Sequence, residues 1–222
     1  MATTDKRFKV PKMEGAIARS YAKQRASGQQ PEQYRQQAAR LTADLPPGSD
    51  ILEVAPGPGY HAIELARLGR YHVTGLDISE TFIGIACDNA RAAGVEVDFR
   101  HGDAQRMPFA DNSFDLIVCQ AAFKNFEHPV TALDEMHRVL RPGGVAVIQD
   151  MSHDATPADI RREVATMNLP WLPRQWVRAA LAVLRLRALS PQRFRDLAAA
   201  SAFHGGEVAA DGLGLEVRLR KD

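Results

Sequence analysis

Residues 51–62 read Ile51-Leu52-Glu53-Val54-Ala55-Pro56-Gly57-Pro58-Gly59-Tyr60-His61-Ala62. A short apolar run is cut by a Gly/Pro turn, after which Ile63, Leu65, Ala66 and Leu68 recur at helical spacing until Gly69. The stretch therefore predicts strand, tight turn and helix in that order. The unit recurs downstream: His72–Asp77 predicts a second strand, Ser79 an N-cap, and Thr81–Ala93 a helix closed by Gly94. Val95–Arg100 predicts a third strand and Ser113–Cys119 a fourth, whose Leu116, Ile117 and Val118 suit burial on both faces. Beyond them come a helix over Pro129–Leu140, a Pro142-Gly143-Gly144 turn, a fifth strand over Val145–Gln149, a helix over Ser190–Ala200, and strands near Glu207–Ala209 and Leu215–Arg220. This alternation predicts an α/β fold, a doubly wound, mostly parallel seven-stranded sheet, with a helical insertion at 151–188 after strand five. The expected division is an N-terminal helical lead-in or cap over 1–45 and the sheet domain over 46–222.

Working outward, 222 residues at 45% apolar and 25% charged provide for one sizeable core and exclude a disordered chain. Lys and Arg number 28 against 27 Asp and Glu, a formal +1 that gives no global attraction for nucleic acid. Cys87 and Cys119 lack C-x-x-C spacing, and Cys119 ends an apolar run as a small buried hydrophobe would. Asp150, His153 and Asp154 are a common loop combination, so no metal is expected. No apolar stretch reaches the ~18 residues of a membrane span, and the opening MATTDKRFKV lacks the apolar region of a secretory signal. A cytoplasmic protein without stable membrane association is the expectation, and 22 arginines to 6 lysines suit a GC-rich bacterial source.

The turn at 57–62 matches G-x-G-x-x-A between a strand and a helix, with Asp77 twenty residues after Gly57 at the end of the next strand. On these features alone a nicotinamide cofactor and an adenosyl cofactor are equally served. The rest of the half-sheet adds Gly75-Leu76-Asp77-Ile78-Ser79, Gly102-Asp103-Ala104 with Met107-Pro108-Phe109, Ser113-Phe114-Asp115-Leu116-Ile117-Val118, and Arg138-Val139-Leu140-Arg141-Pro142-Gly143-Gly144. Over about residues 35–150 the chain thereby resembles the class I S-adenosylmethionine-dependent methyltransferases, in the small-molecule branch that includes the ubiquinone/menaquinone-biosynthesis enzymes.

The resemblance implies S-adenosyl-L-methionine as cofactor and a small organic acceptor methylated at O, N or C. It implies that Glu53 anchors the turn and the methionine end, and that Gly57 and Gly59 permit close approach. Asp77 would hold the ribose, Ile78 pack on adenine, Asp103 accept from the adenine amino group, the Ala104 N–H face the ring, and Gln120 meet the sulfonium. The family usually has glycine where Ala55 stands. That departure keeps open an alternative, an S-adenosylmethionine- or S-adenosylhomocysteine-binding protein with a regulatory or non-methylating role.

Catalytic candidates lie after strands four and five: Asp150, His153 and His128, with His61 in the first helix a weaker one. Relatives often carry a histidine pair near Lys124 and Asn125, which this chain lacks. Tyr21 and Arg25, one helical turn apart in the lead-in, suit an exposed helix face better than a clasp on the cofactor. Between Trp171 and Arg195 there are six arginines and no acidic residue. The insertion is expected to cap the acceptor pocket, with the Trp171/Trp176 side inward and Arg174, Arg178 and Arg185 outward or toward an acidic substituent. A plain solvated face and a membrane-surface contact are the other readings of this segment. A homodimer is compatible with the sequence.

Overall fold

β1 (Asp50–Val54) lies mid-sheet, flanked in parallel by β2 (His72–Asp77) and β4 (Phe114–Gln120). The computed structural model describes residues 13–25, 30–167 and 169–222. β3 (Asp98–His101) extends the sheet beyond β2, and β5 (Leu140–Met151) pairs in parallel with β4. β7 (Gly214–Arg220) runs antiparallel to both β5 and the edge strand β6 (Glu207–Asp211), giving the order β3-β2-β1-β4-β5-β7-β6. Six strands thus share one direction and β7 alone opposes them.

Strand alternation divides the core between two faces. Leu52, Val54, Ile117, Cys119 and Ile148 meet Leu133 and Met136 of α5 (Pro129–Val139) and Phe194 and Leu197 of α8 (Pro191–Ala200). Ile51, Leu116, Val118 and Val147 meet Ala62 and Leu65 of α3 (Tyr60–Arg67) and Ala38 of α2 (Gln30–Leu41). Helices cover both faces, as a parallel sheet requires. The lead-in is therefore not a solvated appendage: α1 (Gly15–Arg25) packs on α4 (Glu80–Ala93) and α2 on α3, with Ala18 and Ala38 fully buried.

β5 starts five residues before the expected Val145, because a register shift between Phe114 and Leu116 takes Arg141-Pro142-Gly143-Gly144 into the strand. Arg141 anchors that segment on Asp115 at 2.5 Å and Asp50 at 2.7 Å. A Cβ on Gly144 would meet the carbonyls of Arg141 and Asp115 at 2.9 and 3.0 Å, so glycine is required there. β3 begins at Asp98 rather than Val95.

Two helices stand between β5 and α8. α6 (Pro157–Thr166) opens on a reciprocal capping box between Thr156 and Asp159, and α7 (Trp171–Arg185) rests on it. The orientation of α7 reverses the sequence expectation. Arg174, Arg178 and Arg185 are the half-buried side, with Arg185 donating to the Ala155 carbonyl at 2.6 Å, while Trp171 and Trp176 are 69% and 78% exposed. Val177 and Leu181 share this half-buried side, to which the long arginine stems add apolar surface. Among the described residues no helix is long and apolar enough to cross a membrane.

Candidate cofactor site

The turn leaving β1 holds three residues in the left-handed region, Ala55 at φ 57°, Gly57 at 55° and Gly59 at 79°. Ala55 thus adopts the conformation that glycine would take, and its N–H donates to the Leu76 carbonyl at 2.8 Å. Asp77, at the end of β2 and only 5% exposed, accepts the Gly57 N–H on one carboxylate oxygen and the Ser79 N–H on the other, each at 2.9 Å. Burial pushes the Asp77 carboxyl up, against the pull of those backbone hydrogen bonds from Ser79 and Gly57. One side chain therefore ties the first two strand-end turns together.

The two glycines do different work. A Cβ on Gly57 would point into open space. On Gly59 it would sit 2.7 Å from Phe99 Cζ and 2.9 Å from Ala86 Cβ, so this glycine serves helix–sheet packing at the start of α3. The close-approach role expected of both glycines fits the open position of Gly57 alone.

Glu53 alternates onto the same sheet face as α3 and lies 3.5 Å from His61 Nδ1, with the two side chains 4% and 2% exposed. Glu53 Oε2 and both His61 ring nitrogens have no hydrogen-bond partner within the chain. Unpaired buried polar atoms cost about 1–3 kcal/mol each unless a ligand or water meets them. The lead-in closes around this pair: Tyr34 is centred 6.2 Å from His61 and 6.4 Å from Tyr60, and Tyr60 Oη donates to the Ala22 carbonyl at 3.1 Å. Arg25 lies over the Tyr21 and Tyr34 rings at 5.7 and 6.0 Å, and Tyr21 packs edge-on against Phe82 at 5.9 Å. The Tyr21/Arg25 pair is thus part of the packing above the turn rather than an exposed face. Tyr34, in a glutamine-rich segment with no motif, was not foreseeable as a neighbour of the site.

Beyond β2, Ile78, Gly102, Asp103 and Met107 line a cavity of about 460 Å³. Ile78 is 38% exposed there, and Asp103 accepts from the Gln105 N–H at 2.9 Å, which fixes its carboxylate. Ala104 packs half-buried against the core beside it. Gln120, ending β4, donates to Gln149 Oε1 at 3.4 Å; Gln149 in turn donates to Glu216 at 2.6 Å, and Gln37 of α2 donates to the same Gln149 oxygen.

Of the acceptor-side candidates, Asp150 is the interior one. Its carboxylate takes Lys124 Nζ at 2.7 Å, the two side chains being 5% and 14% exposed. Lys124, where relatives often carry a histidine pair, thus has a partner 26 residues away that no local motif marks. His128 is exposed at the start of α5 without a side-chain capping bond, and His153 is exposed with Nδ1 3.2 Å from Asp154. Among the described residues no group of three His, Cys, Asp or Glu is placed to hold a metal ion.

Residues 52–148 match the family described as a methyltransferase domain. Over 114 residues the chain is 38% identical to the ubiquinone/menaquinone biosynthesis C-methyltransferase of Roseobacter denitrificans, covering 50% of this chain and 46% of that one. The chain spans about half the length of the curated relatives it matches. A candidate S-adenosyl-L-methionine-dependent methyltransferase from Methanococcus maripaludis shares the fold at a TM-score of 0.73 and 20% identity, covering 97% of this chain and 96% of that one. The [4+2]-cyclase SpnF is 27% identical with a TM-score of 0.58, over 81% of this chain and 58% of its own.

Proposed function

We propose that this chain, whose residues 52–148 match a methyltransferase domain, uses S-adenosyl-L-methionine to move a methyl group to a small organic acceptor, and that the acceptor is a hydroquinone methylated at a ring carbon. The observation that carries the cofactor assignment is the set of buried, unpaired atoms on Glu53 and His61 beside the open Gly57 turn. Neither feature is accounted for by the packing of the chain, and both suit a polar, close-lying ligand. Asp77, through lone pairs left free by its two backbone bonds, is assigned to the ribose, and Ile78, Asp103 and Ala104 to the adenine. Glu53 and Gln120 are assigned to the methionine end.

When bound, the cofactor supplies an electrophilic methyl on a sulfonium. The chain's own task is to hold the acceptor in line about 3 Å away and keep water out. The acceptor class comes from the relatives named for ubiquinone and menaquinone biosynthesis. Lys124, fixed by Asp150 at the carboxyl ends of β4 and β5, is assigned to the acceptor oxygen, where its ammonium favours the anionic phenolate that makes the ring carbon nucleophilic, and the phenolic proton and, after methylation, the ring C–H proton leave to solvent. Asp150 is then a positioning residue, and the exposed His128 and His153 are assigned no step. A non-methylating binding role is not favoured, because Ala55 keeps the left-handed turn that a glycine would make.

The test is incubation with S-adenosyl-L-methionine and a panel of short-chain benzo- and naphthohydroquinones, following S-adenosylhomocysteine. Turnover that falls at least tenfold in Lys124→Gln with cofactor affinity retained is expected. Cofactor binding without S-adenosylhomocysteine from any hydroquinone, but with turnover of another small acceptor, would overturn the acceptor class and leave the methyltransferase reading standing.

A further inference from the structure

α7 is an amphipathic helix mounted with its apolar face outward. Trp171, Leu172, Trp176, Val183 and Leu184, with Leu186 just past its end, are between 42% and 78% exposed, and no residue of the helix is buried. Leu172, Trp176, Val183 and Leu186 fall at helical spacing on one side. A soluble surface rarely leaves such a stripe uncovered.

The charge around the stripe says what covers it. Residues 161–195 hold eight arginines against the single carboxylate of Glu163, a formal +7, while the whole chain is only +1; five of them, Arg161, Arg162, Arg187, Arg193 and Arg195, are exposed, and Arg174, Arg178 and Arg185 are half-buried against α6. The rest of the molecule is therefore formally −6. Two copies meeting through α7 would bring two +7 surfaces together, which opposes self-association on this face. Nucleic acid would satisfy the arginines and leave leucine, valine and tryptophan unburied.

We propose that α7 docks flat on an anionic lipid bilayer, with the Trp/Leu/Val side in the headgroup and acyl boundary and the exposed arginines of the flanking segments, Arg187 foremost, on lipid phosphates. The last turn of α7 is held beside the carboxyl end of β5, where Arg185 donates to the Ala155 carbonyl and the His153 N–H to the Leu189 carbonyl, so docking brings that end of the sheet near the membrane. The inference does not depend on which acceptor is methylated, and it changes the sequence expectation of no stable membrane association.

Both tryptophans of the chain lie on α7, so intrinsic tryptophan fluorescence reports on this helix alone. The full chain is mixed with vesicles of phosphatidylcholine, with and without phosphatidylglycerol. A blue shift, quenching by brominated acyl chains, and partitioning at least about tenfold stronger onto the anionic vesicles and weakened by salt are expected. Leu172→Ser with Val183→Ser, which removes apolar surface and leaves both reporters, should cut partitioning at least tenfold at unchanged cofactor affinity. Absence of a shift with any vesicle, or equal partitioning onto neutral ones, overturns the proposal. So does a shift that needs no lipid, whether it follows protein concentration, as for a dimer, or cofactor and acceptor, as for a lid.

Discussion

Gly57 and Gly59 are two residues apart and both left-handed, yet substitution should separate them. Gly57→Ala adds a methyl that meets nothing in the protein, so it costs the fold only the left-handed strain of about 1–2 kcal/mol while obstructing the cofactor. Gly59→Ala adds the contacts with Phe99 and Ala86 to the same strain, a further ~1–3 kcal/mol. Denaturant melts and calorimetry with S-adenosyl-L-methionine distinguish them: stability loss should be larger at Gly59, and affinity loss per unit of stability larger at Gly57. An unimpaired affinity in Gly57→Ala would remove that turn from the site. At Asp77 the two effects coincide. Asp77→Asn leaves one carbonyl oxygen for two N–H donors and turns an NH₂ toward one of them, which should cost about 2–3 kcal/mol of stability in addition to cofactor affinity. A fully stable Asp77→Asn variant would show that the bridge between the two turns is dispensable.

At the scale of elements, the seven strands and the helices α3, α4, α5 and α8 lie within about five residues of where hydrophobic period and punctuation put them, because Gly69, Gly94 and the prolines opening α5 and α8 are local signals, whereas the separate helices of the 151–188 segment had no predicted bounds. Less legible was which face of α7 is covered. An amphipathic pattern divides a helix into two faces, and only tertiary packing chooses between them. The interior default for apolar residues gave the wrong choice here. The tie between α2 and the C-terminal hairpin was equally invisible, since Arg40 and Glu216 lie 176 residues apart. Burial pushes the Glu216 carboxyl up, but hydrogen bonds from Arg40, Gln149 and Arg218 outweigh it and bring it down to about 2. A carboxyl lowered on folding contributes stability that is complete above its unfolded value, near 4.5, and is lost as pH falls toward 2. Glu216→Gln should therefore flatten the acid limb of the stability curve between those values. At neutral pH it should cost about 1–2 kcal/mol, after allowance for partial exposure. An acid limb unchanged by the substitution would contradict the assignment.

The proposed cofactor site lies where sheet order reverses: β1 leads outward to β2 and β3, and the chain then returns to β4 on the other side. A cleft opens at the carboxyl ends of such a pair, and the Glu53, Gly57 and Gln120 positions border it. The lead-in is tied to that cleft at several points, α2 through the Tyr34 ring on Tyr60 and His61, and α1 with the residues before it through hydrogen bonds. Glu14 accepts the Glu80 and Thr81 N–H groups at 3.1 Å, Ser79 Oγ donates to the Met13 carbonyl at 2.7 Å, and Tyr60 is bonded to Ala22. These partners are the first residues of α3 and α4, next to the two turns that Asp77 joins. Ligand binding at the turns should therefore stiffen the lead-in as well. With S-adenosyl-L-methionine at about one hundred times its dissociation constant, a stabilisation near 2.7 kcal/mol and a Tm rise of about 5–10 °C are expected. Hydrogen exchange should slow in the turns at 55–60 and 77–79 and along α1 and α2 together. α7, which rests on α6, should exchange as it does without the cofactor. Protection confined to the turns would show that the lead-in helices pack over the site without responding to it. Protection reaching α7 in the absence of lipid would make that helix part of the cover and contradict its assignment as a membrane-facing surface.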